Sequence, residues 1–307
     1  MNKFLIIISA ISSLMIVITI LYVAMRPLPP IIYVAPSEFN FAAAGDWGCT
    51  DDTEDTVNNI LAKNPELVLG LGDYSYKDSA DCWFQIVDPI EDKMKIAIGN
   101  HDVDQVGKIQ KYMNQFGLRE QYHSFNYYNV HFIALSTELA YKMDSPQYEF
   151  VNSDLSKAAA DPNIDWIVVY FHRQMYSSPS NHDNYPTLRS TYHPLFEQYG
   201  VDLVLQAHNH NYERTYPIKF SSTSPSTPIE TSTNKTTYTH PDGQIFATVG
   251  TGGVSLYAFT GKKDYIVKQY RGFGILNVDI TNKPQALTGK FYSNNNGKIV
   301  DQFTIYK

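Results

Sequence analysis

The chain has 307 residues, of which 24 are basic and 31 acidic, and its formal charge of −7 leaves no basic stripe to displace counterions from a nucleic acid, so binding of DNA or RNA through phosphates is not expected. Apolar residues at 43% and aromatics at 14% exclude a disordered chain. Two cysteines, with no C-x-x-C between them, exclude both a disulfide scaffold and a thiolate zinc site, so any metal must be held by His, Asp, Asn or Tyr.

Residues 4–25 form a run of 22 without a charge. At about 1.5 Å per residue a helix of that length reaches about 33 Å, enough to span a bilayer. A cleaved signal is the competing expectation, but its apolar region is usually about 7–15 residues. Tyr22-Val23-Ala24 is a poor cleavage pattern. Lys3 lies on one side of the run and Arg26 alone on the other, a weak bias toward an outward-facing domain. Asn234-Lys235-Thr236 is a glycosylation sequon that fits such a location. The expectation is an anchor or signal segment over 1–26 and a stiff Pro-rich linker over 27–38. One catalytic domain over 39–307 follows.

From about residue 39, short apolar runs alternate with helical patterns. A strand is predicted over 41–44, ending in Gly45-Asp46. Asp51 or Asp52 is expected to cap a helix with Val57, Ile60 and Leu61 on one face. Strands over 67–71 and 94–98 end in Gly72-Asp73 and Gly99-Asn100-His101-Asp102. Segments 122–127 and 130–135 read as a hairpin around Tyr128-Asn129. A helix is expected over 148–159. A strand over 166–171 runs into His172-Arg173, a helix covers 192–199, and a strand over 203–206 runs into Ala207-His208-Asn209-His210. Residues 219–241, rich in Ser, Thr and Pro, read as a long surface loop. Strands over 244–249, 274–280, 287–292 and 299–306 complete a pattern of mixed sheets with helices outside.

Five strand ends therefore carry metal-capable side chains: Asp46; Asp73 with Tyr76; Asn100 with His101; His172; and His208 with His210. Strand carboxyl ends are where ligand sites assemble in α/β folds. Feeding apolar strands directly into Asp, Asn and His is costly unless those groups meet a ligand or one another. A lone Gly-Asp is usually a turn, and a lone His such as His123 or His131 is usually a packed or surface residue. Gly250-Thr251-Gly252-Gly253 does not continue into a nucleotide loop and is expected only to shape its own turn. No G-x-S-x-G nucleophile elbow occurs.

Gly45-Asp46-Trp47-Gly48, Gly72-Asp73-Tyr74-Ser75-Tyr76, Gly99-Asn100-His101-Asp102, Val169-Tyr170-Phe171-His172 and His208-Asn209-His210 resemble the five blocks of the calcineurin-like metallophosphoesterases. Tyr76 three residues after Asp73, and Asn211-Tyr212-Glu213-Arg214 after His210, look like the purple acid phosphatase branch, in its small tartrate-resistant-like form. The resemblance implies an α/β four-layer αββα sandwich without the extra N-terminal β-domain of longer relatives. It implies two metal ions. Fe(III) would lie at Asp46, Asp73, Tyr76 and His210, and Zn, Fe(II) or Mn at Asp73, Asn100, His172 and His208. Asp73 would bridge them through its two oxygens. It further implies hydrolysis of small phosphomonoesters by a metal-bound hydroxide that attacks phosphorus.

In the family, the histidine at His101 contacts phosphate and protonates the leaving group; Asp102 is expected to orient it or simply to make a turn. Asn100, His101, Arg173 and His182 are the candidate substrate contacts, and Arg214 is expected to bridge within its own loop. Ala207 stands where the last block usually begins with Gly, a position at which positive φ would be strained. Cys49 and Cys82 lie on loops that converge on the same centre, which makes a disulfide an expectation beside two free buried thiols. The rivals are a phosphodiesterase with two divalent ions, in which Tyr76 is not a ligand, and a catalytically silent cell-surface binding protein of the same fold. Substrate choice would fall to loops such as 176–189 and 219–241. The sequence carries no signal of oligomeric state.

Overall fold

The computed structural model describes residues 38–307. The expected anchor or signal segment and all but the last residue of the linker lie outside the described residues. Among the described residues, no helix is long and apolar enough to cross a membrane.

The architecture follows from the two-residue period of its strands. In β1 (Glu38–Ala44), Phe39, Phe41 and Ala43 enter a core between two sheets, while Ala42 and Ala44 face a helix-covered core on the other side. β1 pairs in parallel with β2 (Leu67–Gly70), which pairs in parallel with β3 (Met94–Ile96). On its other edge β1 pairs antiparallel with β14 (Gly274–Asn282), followed by β15 (Gln285–Ser293) and β16 (Ile299–Tyr306). The second sheet runs β13 (Ile266–Tyr270), β8 (Tyr212–Thr215), β12 (Ile245–Val249), β7 (Leu203–Ala207), β6 (Trp166–Arg173), β5 (Val130–Ala134) and β4 (His123–Tyr127). Helices α1 (Asp51–Lys63), α2 (Asp81–Val87) and α3 (Lys108–Gln115) cover the first sheet through Val57, Ile60, Trp83 and Tyr112. Helices α4 (Pro146–Ala160) and α5 (Pro186–Gln198) cover the second through Val151, Leu155, Leu188 and Phe196. Two mixed sheets lie between two helical layers.

Several expectations are corrected. Thr50, not Asp51 or Asp52, caps α1: its Oγ1 accepts the Thr53 N–H at 3.2 Å. The acidic pair sits in the first turn, where the positive end of the helix dipole favours it. Leu61 is 43% exposed rather than on the buried face. Helix α5 begins six residues before the predicted 192, with Pro186 in its first turn, where its missing N–H costs nothing. The 219–241 segment is not only a loop. β9 (Ile218–Lys219) pairs with β10 (Ile229–Glu230), and β11 (Thr237–Thr239) joins the free edge of β16 with Tyr238 buried. Arg214 does not brace its own loop. Buried on β8, it forms a bidentate pair with Asp301 of β16, at 2.6 and 3.0 Å, so it ties one sheet to the other.

Candidate metal centre

Every expected donor leaves a strand at the same end of the sandwich. Asp46, Asp73, Tyr76 and Asn100 follow β1, β2 and β3 of the first sheet; His172 is the last residue but one of β6, and His208 and His210 follow β7 of the second. Backbone bonds lock these loops together. The Asp46 N–H donates to Gly72 O at 3.0 Å, the Trp47 N–H to Asp73 O at 2.9 Å, and the Gly45 N–H to Val249 O at 2.8 Å. Of eight described non-glycine residues with left-handed φ, four are Asp46, Asp73, Tyr76 and His208. Such conformations cost about 1–3 kcal/mol each and persist where surrounding contacts over-determine them.

Close approach requires glycine at two positions here. A Cβ on Gly99 would lie 2.3 Å from Asp73 Oδ1, and one on Gly250 would lie 2.5 Å from Asp46 Oδ2. The glycine run after β12 thus walls the centre rather than merely shaping a turn. Ala207 is not strained, because the positive φ falls one residue later, on His208 at 69°. Its methyl occupies space that Gly45 leaves free: a Cβ there would meet Ala207 Cβ at 2.7 Å.

The side chains form two groups that share one atom. Tyr76 Oη donates within 2.9 Å of Asp46 Oδ1 and lies 3.1 Å from both Asp73 Oδ2 and His210 Nε2. His172 Nε2 lies 3.2 Å from Asp73 Oδ2, 3.2 Å from Asn100 Oδ1 and 3.1 Å from His208 Nδ1. A single Asp73 oxygen faces both groups. The other, Oδ1, accepts the His101 N–H at 2.7 Å. Among the described residues, Asp73, His172 and His208 form a buried set whose donor atoms all lie within 4.8 Å of one another. Edges of about 3.0–3.4 Å are those of a polyhedron with metal–ligand bonds of about 2.0–2.1 Å. The set also mixes phenol, carboxylate, amide and imidazole donors, so the residues present fit two cations.

Electrostatics point the same way. Asp46 and Asp73 are 0% and 1% exposed. Burial pushes the Asp46 carboxyl up, against the pull of His210 and His172. Burial likewise opposes ionisation of Asp73, but its bonds to His172 and His101 hold it below the usual carboxylate range. His172 resists burial through Asp73 and Asp46 and is raised to about 10. Burial and then the charge on His172 push His208 down. Burial, followed by Asp46 and Asp73, pushes the Tyr76 phenol up. Buried acceptors crowd one spot, and positive charge placed there would favour their ionised forms.

A family model described as Calcineurin-like phosphoesterase matches residues 39–212, more than half of the sequence. The chain belongs to the calcineurin-like phosphoesterase family. Purple acid phosphatase 15 of Arabidopsis thaliana is 27% identical over 225 residues, covering 59% of this chain and 42% of that protein. A phosphoenolpyruvate phosphatase of Allium cepa is 25% identical over 301 residues, covering 88% of this chain and 60% of that one. The chain spans about half the length of the curated relatives it matches. A purple acid phosphatase from yellow lupin (Lupinus luteus) seeds shares its fold with a TM-score of 0.77, over 88% of this chain and 54% of that one, at 22% identity. GAP50, the anchor in the inner membrane complex of Plasmodium, does so with a TM-score of 0.68, over 88% and 89%, at 16% identity.

Not every residue singled out from the phosphoesterase blocks sits as expected. Asp102 is fully buried and does not touch the His101 ring. Its carboxylate accepts the N–H groups of Asp73, Tyr74 and Gly99 at 2.8–2.9 Å, pinning two of the loops. Burial, then Asp73, raises Asp102 to about 7 against those bonds. The carboxylate beside His101 is Asp104, 3.1 Å from Nδ1, and the ring lies over Tyr76 with 43% of its side chain exposed. Arg173 is gripped by Glu138 in a bidentate pair at 2.7 and 2.9 Å and also donates to Tyr185 Oη. His182 stacks on His208, with ring centres 4.0 Å apart, and Tyr257 stacks on His210 at 3.9 Å. Cys49 and Cys82 are joined in a disulfide that ties the start of α1 to α2. Asp104, Glu138, Tyr185 and Tyr257 belong to no family block and left no signal in the sequence.

Proposed function

We propose that this chain is a binuclear-metal phosphatase that hydrolyses small phosphomonoesters at acid pH. The observation that carries the reading is the pair of donor groups meeting at Asp73 Oδ2. Asp46, Asp73, Tyr76 and His210 would hold a ferric ion, for which an anionic phenol oxygen is a suitable donor. Asp73, Asn100, His172 and His208 would hold Zn, Fe(II) or Mn. When bound, the pair supplies Lewis acidity toward phosphate oxygens and lowers the pKa of water.

The protein's own groups orient the rest. His172 and His210 donate Nδ1–H to the carbonyls of Leu71 and Ser255 at 2.9 and 2.7 Å, which makes Nε2 the nitrogen that faces the centre and would ligate a cation in place of its proton. His101 gives Nδ1–H to Asp104 and presents its exposed edge at the mouth, where a proton can pass to the leaving oxygen. His182, stacked on His208, is likewise partly exposed. The Cys49–Cys82 bond supports an oxidising compartment, and the uncharged 4–25 run supports a membrane-anchored or secreted protein with the catalytic domain outside the cytoplasm.

Elemental analysis combined with a visible spectrum and an assay on a generic phosphomonoester tests this. Two metals per chain, a colour from phenolate-to-iron charge transfer and hydrolysis below neutral pH are expected. A colourless enzyme preferring diesters would replace the reading with a two-divalent phosphodiesterase. Full metal content without hydrolysis of any phosphoester would make it a binding protein.

A further inference from the structure

His208 is the exception among the three imidazoles. His172 and His210 each turn Nδ1 to a backbone carbonyl and Nε2 to the centre. His208 does the reverse: Nδ1 faces His172 Nε2 at 3.1 Å, and Nε2 meets Tyr185 Oη at 3.2 Å. A carbonyl can only accept, so it fixes a tautomer by itself. A hydroxyl can donate or accept, so Tyr185 alone leaves the choice open.

A cation held at Nδ1 would settle it by requiring the proton on Nε2, and Arg173 prepares the acceptor. Its Nη1 donates to Tyr185 Oη, which takes up one lone pair and leaves the second for a His208 Nε2–H. Arg173 is itself fixed. Its Nε and Nη2 grip the two Glu138 oxygens at 2.7 and 2.9 Å, and Glu138 Oε1 also accepts the Thr137 hydroxyl at 2.9 Å. The guanidinium lies 5.0 Å from the Tyr185 ring centre, which braces the ring as well as its oxygen.

We propose that Tyr185, clamped by the Glu138–Arg173 pair, is the positioning residue for His208: it accepts Nε2–H and holds Nδ1 bare toward the second metal position. The inference rests on the dimetal reading above. It makes Arg173, which the sequence offered as a substrate contact, part of the support for a ligand.

The test is zinc retention by the full chain, wild type and variants, dialysed against graded chelator. Y185F is expected to keep one metal at wild-type affinity and to hold the other about 10–100-fold more weakly. E138Q should weaken the same metal by a smaller factor. The melting temperature of metal-free Y185F should match the metal-free wild type, which a merely structural role would not allow. With iron loaded, the visible band should be unmoved, because Tyr76 is untouched. H208A sets the reference for loss of the second metal. Y185F and E138Q both retaining two metals at wild-type affinity would overturn the positioning role while leaving the dimetal reading intact. A wild type that takes up fewer than two metals, or an H208A that keeps both, would overturn the dimetal reading and this inference with it.

Discussion

At the scale of the residue, the centre depends on which atom of each side chain is spoken for. Asp73 gives Oδ1 to the His101 N–H and keeps Oδ2 for both donor groups. Tyr76 places its oxygen among Asp46, Asp73 and His210. Y76F should therefore abolish the charge-transfer band and weaken iron binding at least about tenfold while leaving the far-UV circular dichroism unchanged; a band that survives would show that another group carries the colour. H101A should lower kcat by about 10²-fold for esters with poor leaving groups and by much less for nitrophenyl esters, whose oxygen needs no proton. Equal losses on both substrates would remove His101 from the role of acid. Most donors were legible because they stand just after apolar strands, and Tyr76, six residues beyond β2, only through the family resemblance. Their supports were not. Glu138 lies 35 residues from Arg173, and Tyr185 lies 23 from His208, and nothing local marks either. Asp102 was left between two expectations, orienting His101 or making a turn, and the turn is what forms: the short helical turn at Asn100–Asp102 sends its carboxylate to three backbone N–H groups.

At the scale of the element, two features set how α1, α2 and α5 hold. His193 of α5 is fully buried between Tyr176 Oη, 2.7 Å from Nδ1, and Gln244 Oε1, 3.1 Å from Nε2. Burial depresses its pKa to about 3 from an ordinary 6.5. The unfolded chain therefore binds the extra proton first. The contribution of neutral His193 is complete above pH 6.5 and is lost progressively down to about pH 3, roughly 2–3 kcal/mol by pH 4.5. H193Q should show a flatter stability–pH curve over that window in urea titrations; a curve parallel to wild type would assign the acid sensitivity elsewhere. The Cys49–Cys82 bond closes a loop with a separation of 33 residues. C49A/C82A should lose about 3–4 kcal/mol, measured by the same titration, and a loss under 1 kcal/mol would show that the packing of Trp83 against Trp47 and Tyr74 already fixes this corner. Strong apolar periodicity made β1, β2, β5, β6 and β7 readable. The unforeseen elements were short or polar: α2 is seven residues with one acid, two aromatics and a cysteine, β8 is Tyr-Glu-Arg-Thr, and β11 carries a single buried Tyr238. Their placement comes from tertiary contacts, which no local pattern encodes.

At the scale of the whole molecule, the sheets pack face to face through Phe41, Phe132, Val168, Leu205 and their neighbours, and Arg214–Asp301 fastens them with a buried ion pair. The order of layers was foreseeable from strands alternating with helices, while the edge role of β11 was not. Each donor group draws on both sheets. Asp46 and Tyr76 come from the first and His210 from the second; Asn100 comes from the first and His172 and His208 from the second. Neither sheet alone carries a complete ligand set. Binding of the ions is therefore linked to the docking of the sheets, because an ion that binds only the closed sandwich stabilises it by RT ln(1 + [L]/Kd). Chelation should lower the melting temperature, and returning zinc should restore it in proportion to the logarithm of its concentration; a melting temperature indifferent to metal would mean that the ligands remain paired without it. On this reading Asp73 Oδ2 is more than a ligand atom. With ions bound as proposed, it would be the point at which the two sheets are pinned to each other, so metal loading and closure of the sandwich would be coupled.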